Sequence, residues 1–364
     1  MNWPCQKTII ISRCFWDYYL HVFQKDYAYE LKNSFGVEVI WVDRPTRNPM
    51  VWFKEKKRSI DGITVLRPWS LRNEYENFER IDRKLFDFQI SKYFKTKDSV
   101  CLWSICCIHP WLSRKNNFSH KIYWPGDHFA PKEEYHHYKD YDLVMPWMGI
   151  DEIPSEFPGK RFESSTCAGE SFMQFKKNRL LDKRLEKLAH FENKVSYIGG
   201  LSWERFDFEL LEKAAVALPN TAFLLGVKSD GLSKTEDLKA YLLKNYQNIR
   251  IFEDLDYMEL ATLVSKCDIG IIPYRISGQN LRICPNKFFE YSALGKRTIT
   301  TAIPSMTRYC PPARIAQTHQ EFISLLNNEL QNPIDESSNI ELRKVAEKAS
   351  AKETIVRIAN ILEN

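Results

Sequence analysis

Between Arg275 and Thr301 the chain reads RISGQNLRICPNKFFEYSALGKRTITT, and a few of these residues have types and a spacing suited to chemistry. Pro285 suits the first position of a helix, where its missing N–H costs nothing, so Asn286 and Lys287 fall in the first turn. Glu290 follows Lys287 by three residues and projects from nearly the same helical face. A helix N-terminus with a lysine beside it favours phosphate. A carboxylate one turn further on is placed to accept hydrogen bonds from two sugar hydroxyls. The plainer alternative is an ordinary surface pair between Lys287 and Glu290.

Such a helix needs a sheet to stand on. Short apolar runs alternate with amphipathic stretches along nearly the whole chain, the pattern of an α/β protein with parallel sheets. In the second half, strands are expected at 195–198, 222–225, 248–251, 268–272 and 298–301, with helices at 206–218, 235–245, 257–266 and 285–294. In the first half, strands are expected at 8–12, 37–42, 99–105, 121–123 and 142–145, and helices at 24–34 and 76–93. The last of these places Phe78, Ile81, Leu85, Phe88 and Ile90 at roughly helical spacing. At 364 residues the chain exceeds the ~250–300 at which a single core stops growing. The expected organisation is a first domain 1–175, a charged connecting helix 176–194, a second domain 195–340 and a terminal helix 341–364.

Composition narrows the function classes. The chain holds 13 glycines, about half the usual share of roughly 7%, and contains neither G-x-G nor G-x-x-x-x-G-K-[ST]. A Walker ATPase and an NAD-type fingerprint are therefore excluded, and phosphate must be met at isolated glycines. The adjacent pair Gly199-Gly200, at the end of an expected strand, is the first candidate. The net charge of +5 is mild and its basic residues are interleaved with acids, which argues against nucleic acid as a partner. Nine cysteines without a C-x-x-C fit a reducing cytoplasm. No secretory leader and no apolar run near ~18 residues are found. His128, His136 and His137 lie close in sequence but match no metal-ligand spacing, so no metal is expected. Lys54 to Arg58, beside Met50, Val51, Trp52 and Phe53, reads first as a solvated strand end or loop. Its second reading is a patch resting on the inner face of an anionic membrane.

The segment from Pro285 resembles the GT-B glycosyltransferases. Group 1 and group 4-like members carry P-x-K-x-x-E-Y-x-A-x-G-K-P, and here Pro285, Lys287, Glu290, Tyr291, Ala293, Gly295 and Lys296 match, with Arg297 in place of the final proline. The resemblance implies that Glu290 binds the ribose hydroxyls of a nucleotide-sugar and that Lys287 lies near its phosphates. Arg282 stands where the retaining members have a glutamate, which leaves the stereochemical course open. VSYIGGLSWERFDFELLEKAAVALPNTAFLLG is similar to the family's first donor-domain unit, with Arg205 beside the pyrophosphate. NIRIFEDLDYMELATLVSKCDIGIIPY is similar to a later one, ending in Pro273-Tyr274 over the nucleotide. Lys228, just past the strand ending near Gly226, is a further phosphate candidate.

The first half is similar to the family's opening through Trp16, Gln24 and GVEVIWVDRP, with Lys25 in place of the usual arginine. IYWPGDHF occupies the place of an acidic family motif, and Thr166 to Glu170 that of P-N-G-V-D. A transfer needs a base within reach of the acceptor hydroxyl, and Asp127 with His128 is the candidate, ahead of Asp17 and His21. The resemblance thus implies two Rossmann-like doubly wound domains facing a cleft. It also implies a metal-independent glycosyltransferase of hexosyltransferase type without cofactor, extending a surface glycan or glycolipid from a UDP-linked donor. A UDP-sugar 2-epimerase and a non-catalytic sugar-nucleotide or glycan-binding protein are the rival readings.

Overall fold

The computed structural model describes residues 2–17, 23–73, 79–94, 98–106, 110–115, 117–127, 129–176, 178–228, 233–332 and 335–363. The chain divides into two compact units, Met1–Ser165 with Ala351–Asn364, and Thr166–Ser350.

In the first unit the elements run β1 (Lys7–Ser12), α1 (Gln24–Phe35), β2 (Glu38–Val42), α2 (Pro49–Glu55), β3 (Lys57–Ile60), β4 (Ile63–Leu66), α3 (Arg80–Ile90), β5 (Val100–Ile105), α4 (Pro110–Ser113), β6 (His120–Trp124), α5 (Pro131–Tyr138), β7 (Leu143–Val144) and β8 (Lys160–Arg161). The sheet order is β3-β4-β2-β1-β5-β6-β7-β8. All neighbours are parallel except β3 and β4, a hairpin closed by Asp61-Gly62, whose φ values of 49° and 78° suit a tight two-residue turn. Because β1 pairs with β2 on one side and β5 on the other, the order reverses at β1/β5, the point where open α/β sheets leave a crevice. One face buries Ile9, Ile40, Phe86 and Leu102. Fully burying a side chain such as Phe86 stabilises by roughly 1.5–3 kcal/mol. The other face is aromatic: Tyr27 of α1 meets Trp103 at 5.5 Å and Trp124 at 5.0 Å between ring centroids.

Two expectations for this unit need correction. The helix read over 76–93 is α3, Arg80–Ile90, and its inward face is Asp82, Phe86 and Ile90. Ile81 and Phe88 are 59% and 85% exposed, and Phe78 lies outside the described residues. The reason is polar: Asp82 is buried because its carboxylate accepts from the Leu71 amide at 2.8 Å and from Arg72 at 2.6 Å. The segment before Lys56, read first as a strand end or loop, is the helix α2, started by Pro49 and by Asn48, whose side chain accepts from the Met50 and Val51 amides.

The second unit contains α6 (Glu170–Met173), α7 (Arg179–Glu186), β9 (Asn193–Gly199), α8 (Phe208–Ala217), β10 (Thr221–Val227), α9 (Ser233–Asn245), β11 (Ile249–Glu253), α10 (Tyr257–Ser265), β12 (Ile269–Ile272), α11 (Asn286–Ala293), β13 (Arg297–Thr301), β14 (Ala313–Ala316), α12 (His319–Gln331) and α13 (Glu336–Lys348). Its sheet is parallel throughout, in the order β11-β10-β9-β12-β13-β14. Three strands are laid down in one direction from β9 and three in the other from β12, so the switch point lies at β9/β12. The chain then returns to the first unit as α14 (Ala351–Glu363), which packs on α1. The stretch expected to be one helix over 341–364 is thus the end of α13 and all of α14, parted at Ala349-Ser350.

Candidate functional site

At the second unit's switch point, β9 ends in Gly199 at φ 129°, and a Cβ there would lie 2.6 Å from Lys287 Nζ. Only glycine lets the backbone take that conformation so close to a lysine. Tyr197 fixes the turn, its hydroxyl donating to the Gly200 carbonyl at 2.6 Å. Lys287 Nζ donates to the Tyr274 hydroxyl at 2.7 Å and sits over both phenol rings, 5.3 Å from the centroid of Tyr197 and 5.2 Å from that of Tyr274. Burial pushes both phenols up. At Tyr274 the adjacent ammonium of Lys287 reverses that and holds the phenol below its ordinary value, while Tyr197 stays well above it.

Lys287 comes from the first turn of α11. Pro285 is the residue capping that helix, not its first member: its ψ of 119° is extended, so the helix begins at Asn286. Glu290, 6% exposed, accepts a 2.5 Å hydrogen bond from the Tyr257 hydroxyl at the start of α10. That hydroxyl in turn accepts from the Gly169 amide at 3.2 Å. Gly169, read from the sequence with the first half, therefore belongs to the second unit. Lys287 and Glu290 engage different partners, which removes the reading of an ordinary surface pair. Tyr291 anchors α11 to the switch point: its hydroxyl accepts from the Ile198 amide of β9 at 3.2 Å and reaches the Ile271 carbonyl of β12 at 3.3 Å. Gly270 makes room for that ring, since a Cβ there would fall 2.3 Å from Tyr291 Cδ2.

The other sequence-derived candidates are placed as follows. Arg205 is half-buried and donates to Gln279, while its own carbonyl accepts from the Arg275 amide at 2.9 Å and from Asn280 Nδ2 at 3.0 Å. The loop carrying it is thereby tied to the segment leaving β12, next to Tyr274. Lys228 follows Val227, the register partner of Gly199, and pairs with Asp254 at 3.2 Å, so its ammonium is directed to the β11 side. The structure brings Gly199, Gly200, Tyr274 and Lys287 together, with Asn286 and Glu290 on the same helix. Sequence reading gave no role to Tyr197 or to the Tyr257–Glu290 bond. The only signal was that Tyr257 falls inside the segment NIRIFEDLDYMELATLVSKCDIGIIPY, which resembles the family.

In the first unit, Asp127 is half-buried just past β6, behind Pro125-Gly126. Gly126 lies against Cys106, where a Cβ would come 3.2 Å from Sγ, and Cys106 itself has φ 55° at the end of β5. A non-glycine residue held in the left-handed region marks a backbone constrained by its surroundings. His128 and His21 lie outside the described residues. Asp17 is ion-paired to Arg58, with Arg67 at 4.0 Å. Asp43, fully buried and unassigned in the sequence reading, accepts from the Trp16 amide at 2.6 Å, Trp41 Nε1 at 2.9 Å, Arg67 at 2.9 Å and Arg58 at 3.2 Å. Among the described residues, no group of three or more His, Cys, Asp or Glu side chains is arranged to hold a metal ion, and no helix is long and apolar enough to cross a membrane.

A structure reported as an α,α-trehalose-phosphate synthase (UDP-forming) from Burkholderia xenovorans, in complex with glucose-6-phosphate, superposes with a TM-score of 0.69 over 98% of this chain and 100% of its own, at 10% identity. WaaG, a glycosyltransferase involved in lipopolysaccharide biosynthesis, gives 0.62 over 98% and 99%, at 11% identity. The fold is GT-B. A third GT-B structure, from E. coli with UDP-2-fluoro glucose bound, gives 0.66 over 98% and 99%, at 12% identity. At such identities the likeness shows the fold alone. In sequence, the chain is 25% identical over 251 residues to a Bacillus subtilis (strain 168) protein named "Putative teichuronic acid biosynthesis glycosyltransferase TuaH". That match spans 59% of this chain and 58% of the relative's length. No family model matches. The two Rossmann-like units expected from the Pro285 motif are therefore present, and the motif sits on the GT-B unit whose switch point it lines.

Proposed function

We propose that the chain is a glycosyltransferase that moves a sugar from a UDP-linked donor to a glycan or lipid-linked acceptor in surface polysaccharide assembly. The observation that carries the reading is Lys287: an ammonium held by a phenol instead of a carboxylate, against a glycine, at the crevice of a doubly wound sheet. A diphosphate is a better partner than a neutral phenol, so donor binding draws Lys287 from Tyr274 to the phosphates. Glu290, oriented by Tyr257, accepts the ribose hydroxyls. Of the structures that share the fold, one is UDP-forming and another holds a UDP-sugar, so a UDP-linked donor is the one to test first.

In the transfer, the acceptor hydroxyl gives its proton to the Asp127 carboxylate, its oxygen bonds to the anomeric carbon, and the bond from that carbon to the diphosphate breaks. The leaving diphosphate takes the electron pair. Lys287, Arg205 and the amides at Gly199-Gly200 and Asn286 offset the charge that builds there. These cations take the part a divalent metal has in other transferases, so the reaction is metal-independent. Contact with an anionic membrane would bring a lipid-linked acceptor within reach. In support, α2 leaves Met50 and Phe53 each 67% exposed, and Lys56 lies over the Trp52 and Phe53 rings. Beside them a cavity of about 430 Å³ is lined by Trp52, Lys56, Lys57, Phe88, Lys92 and Tyr93.

A thermal-shift screen of UDP-, GDP-, dTDP- and CMP-sugars tests the donor class, since a ligand at 100 times its dissociation constant stabilises by about 2.7 kcal/mol. The UDP-sugars should raise the melting temperature. An epimer formed from the stabilising donor without any acceptor would replace transfer by epimerisation.

A further inference from the structure

We propose that a cavity at the carboxyl-terminal end of α11 binds a phosphate ester carrying a short apolar body. The cavity is about 410 Å³ and is walled by Phe172, Met173 and Leu294, with Lys296 and Arg343 among its lining residues. Its place is fixed by the turn that ends α11. Gly295 adopts φ 68°, and a Cβ there would lie 3.0 Å from Asn339 Oδ1 and 3.4 Å from Arg343 Nε, so the turn lies against α13. Lys296 follows at once, its amide donating to the Tyr291 carbonyl at 2.9 Å.

Two cations thus sit together at a hollow that has one apolar wall. Among the described residues, neither Lys296 nor Arg343 forms an ion pair with a carboxylate. Asp268, whose charge reaches Lys296, has Oδ2 engaged by the Lys194 amide at 2.8 Å. Burial depresses the basicity of Lys296, Cys267 and Asp268 pull part of the way back, and Arg343 adds the smallest push, again downward. An anion in the hollow relieves both penalties. A guanidinium fork beside an ammonium matches a phosphate dianion in charge and in donors. The volume lies within the roughly 300–1,000 Å³ of small-molecule sites, and inorganic phosphate alone would leave the Phe172, Met173 and Leu294 wall uncovered. The site stands at the opposite end of α11 from Lys287 and does not rest on the transferase reading.

The test is calorimetric titration of hexyl phosphate and of inorganic phosphate into the wild-type full chain, K296Q/R343Q and K287Q, with UDP titrated as a control. Hexyl phosphate should bind wild type more tightly than inorganic phosphate and lose roughly tenfold to a hundredfold in K296Q/R343Q, the range of a lost charge-assisted hydrogen bond. Binding should persist in K287Q, and K296Q/R343Q should melt cooperatively and bind UDP as wild type does. Vesicles of phosphatidylcholine doped with phosphatidic acid separate the sources: capture lost in K296Q/R343Q assigns the site to a lipid headgroup, and capture unchanged assigns it to a soluble ester. Equal hexyl phosphate affinity in wild type and K296Q/R343Q, or no binding to wild type, overturns the proposal.

Discussion

Lys287 Nζ donates a 2.7 Å hydrogen bond to the hydroxyl of Tyr274, a residue 13 positions earlier, just past the end of β12. The bond keeps the ammonium at the mouth of the β9/β12 crevice without neutralising it. Replacing Lys287 by Ala should weaken UDP-sugar binding roughly tenfold to a hundredfold, the scale of one charge-assisted contact. Tyr274→Phe should have a smaller effect, because it leaves the charge in place. Equilibrium dialysis with a labelled UDP-sugar measures both.

Gly199→Ala tests the close approach. Its φ of 129° disfavours any side chain, and the added methyl would meet Lys287 Nζ at 2.6 Å. The variant should fold with about 1–3 kcal/mol less stability, the strain of an unfavourable backbone region, and lose donor affinity along with it. Urea melts and nucleotide titration on the same sample separate the two effects.

Asp127→Asn should retain near-normal donor binding with turnover reduced by roughly 10²–10⁴, the usual contribution of a general base. Activity should persist in EDTA. Full turnover in the Asn variant would move the role to another residue of that unit.

The fold was legible where local chemistry repeats. In the second unit, apolar runs such as Ala222–Leu225 and Asp268–Ile272 mark strands buried on both faces, and Pro285 places a helix start to within one residue. The hairpin of β3 and β4 was hidden because Lys57 and Arg58 give its first strand no apolar face, although Asp61-Gly62 is a turn signal. The phase of α3 was not legible because the residue that fixes it, Asp82, is buried for its hydrogen bonds to Leu71 and Arg72. Lys287 and Glu290 were recognisable as a pair of types. Their partners were not, since Tyr257 lies 33 residues from Glu290 and only the fold brings them together.

Asp43 should matter for stability more than for turnover. Removing its carboxylate leaves the Arg58 and Arg67 guanidinium groups and the Trp16 and Trp41 donors without their shared acceptor. Asp43→Ala should destabilise by about 3–5 kcal/mol, the range for breaking a buried ion pair on one side. Chemical denaturation of the variant measures it.

Lys296 gives a pH dependence of definite sign. Its folded pKa lies below the ordinary 10.5, chiefly through burial, so the unfolded chain binds more protons as pH rises through the folded value. The ammonium's penalty is fully present at neutral pH and fades as pH approaches 10.5. Lys296→Met should therefore melt higher than wild type at neutral pH, with the difference narrowing in alkali. A series of melting curves across that window checks the sign.

The proposed donor site on α11 is tested most directly by calorimetric titration of UDP into wild type and Glu290→Ala. Binding to wild type, weakened at least about tenfold in a variant that still melts cooperatively, is the predicted result. Equal affinity in the two proteins would contradict it.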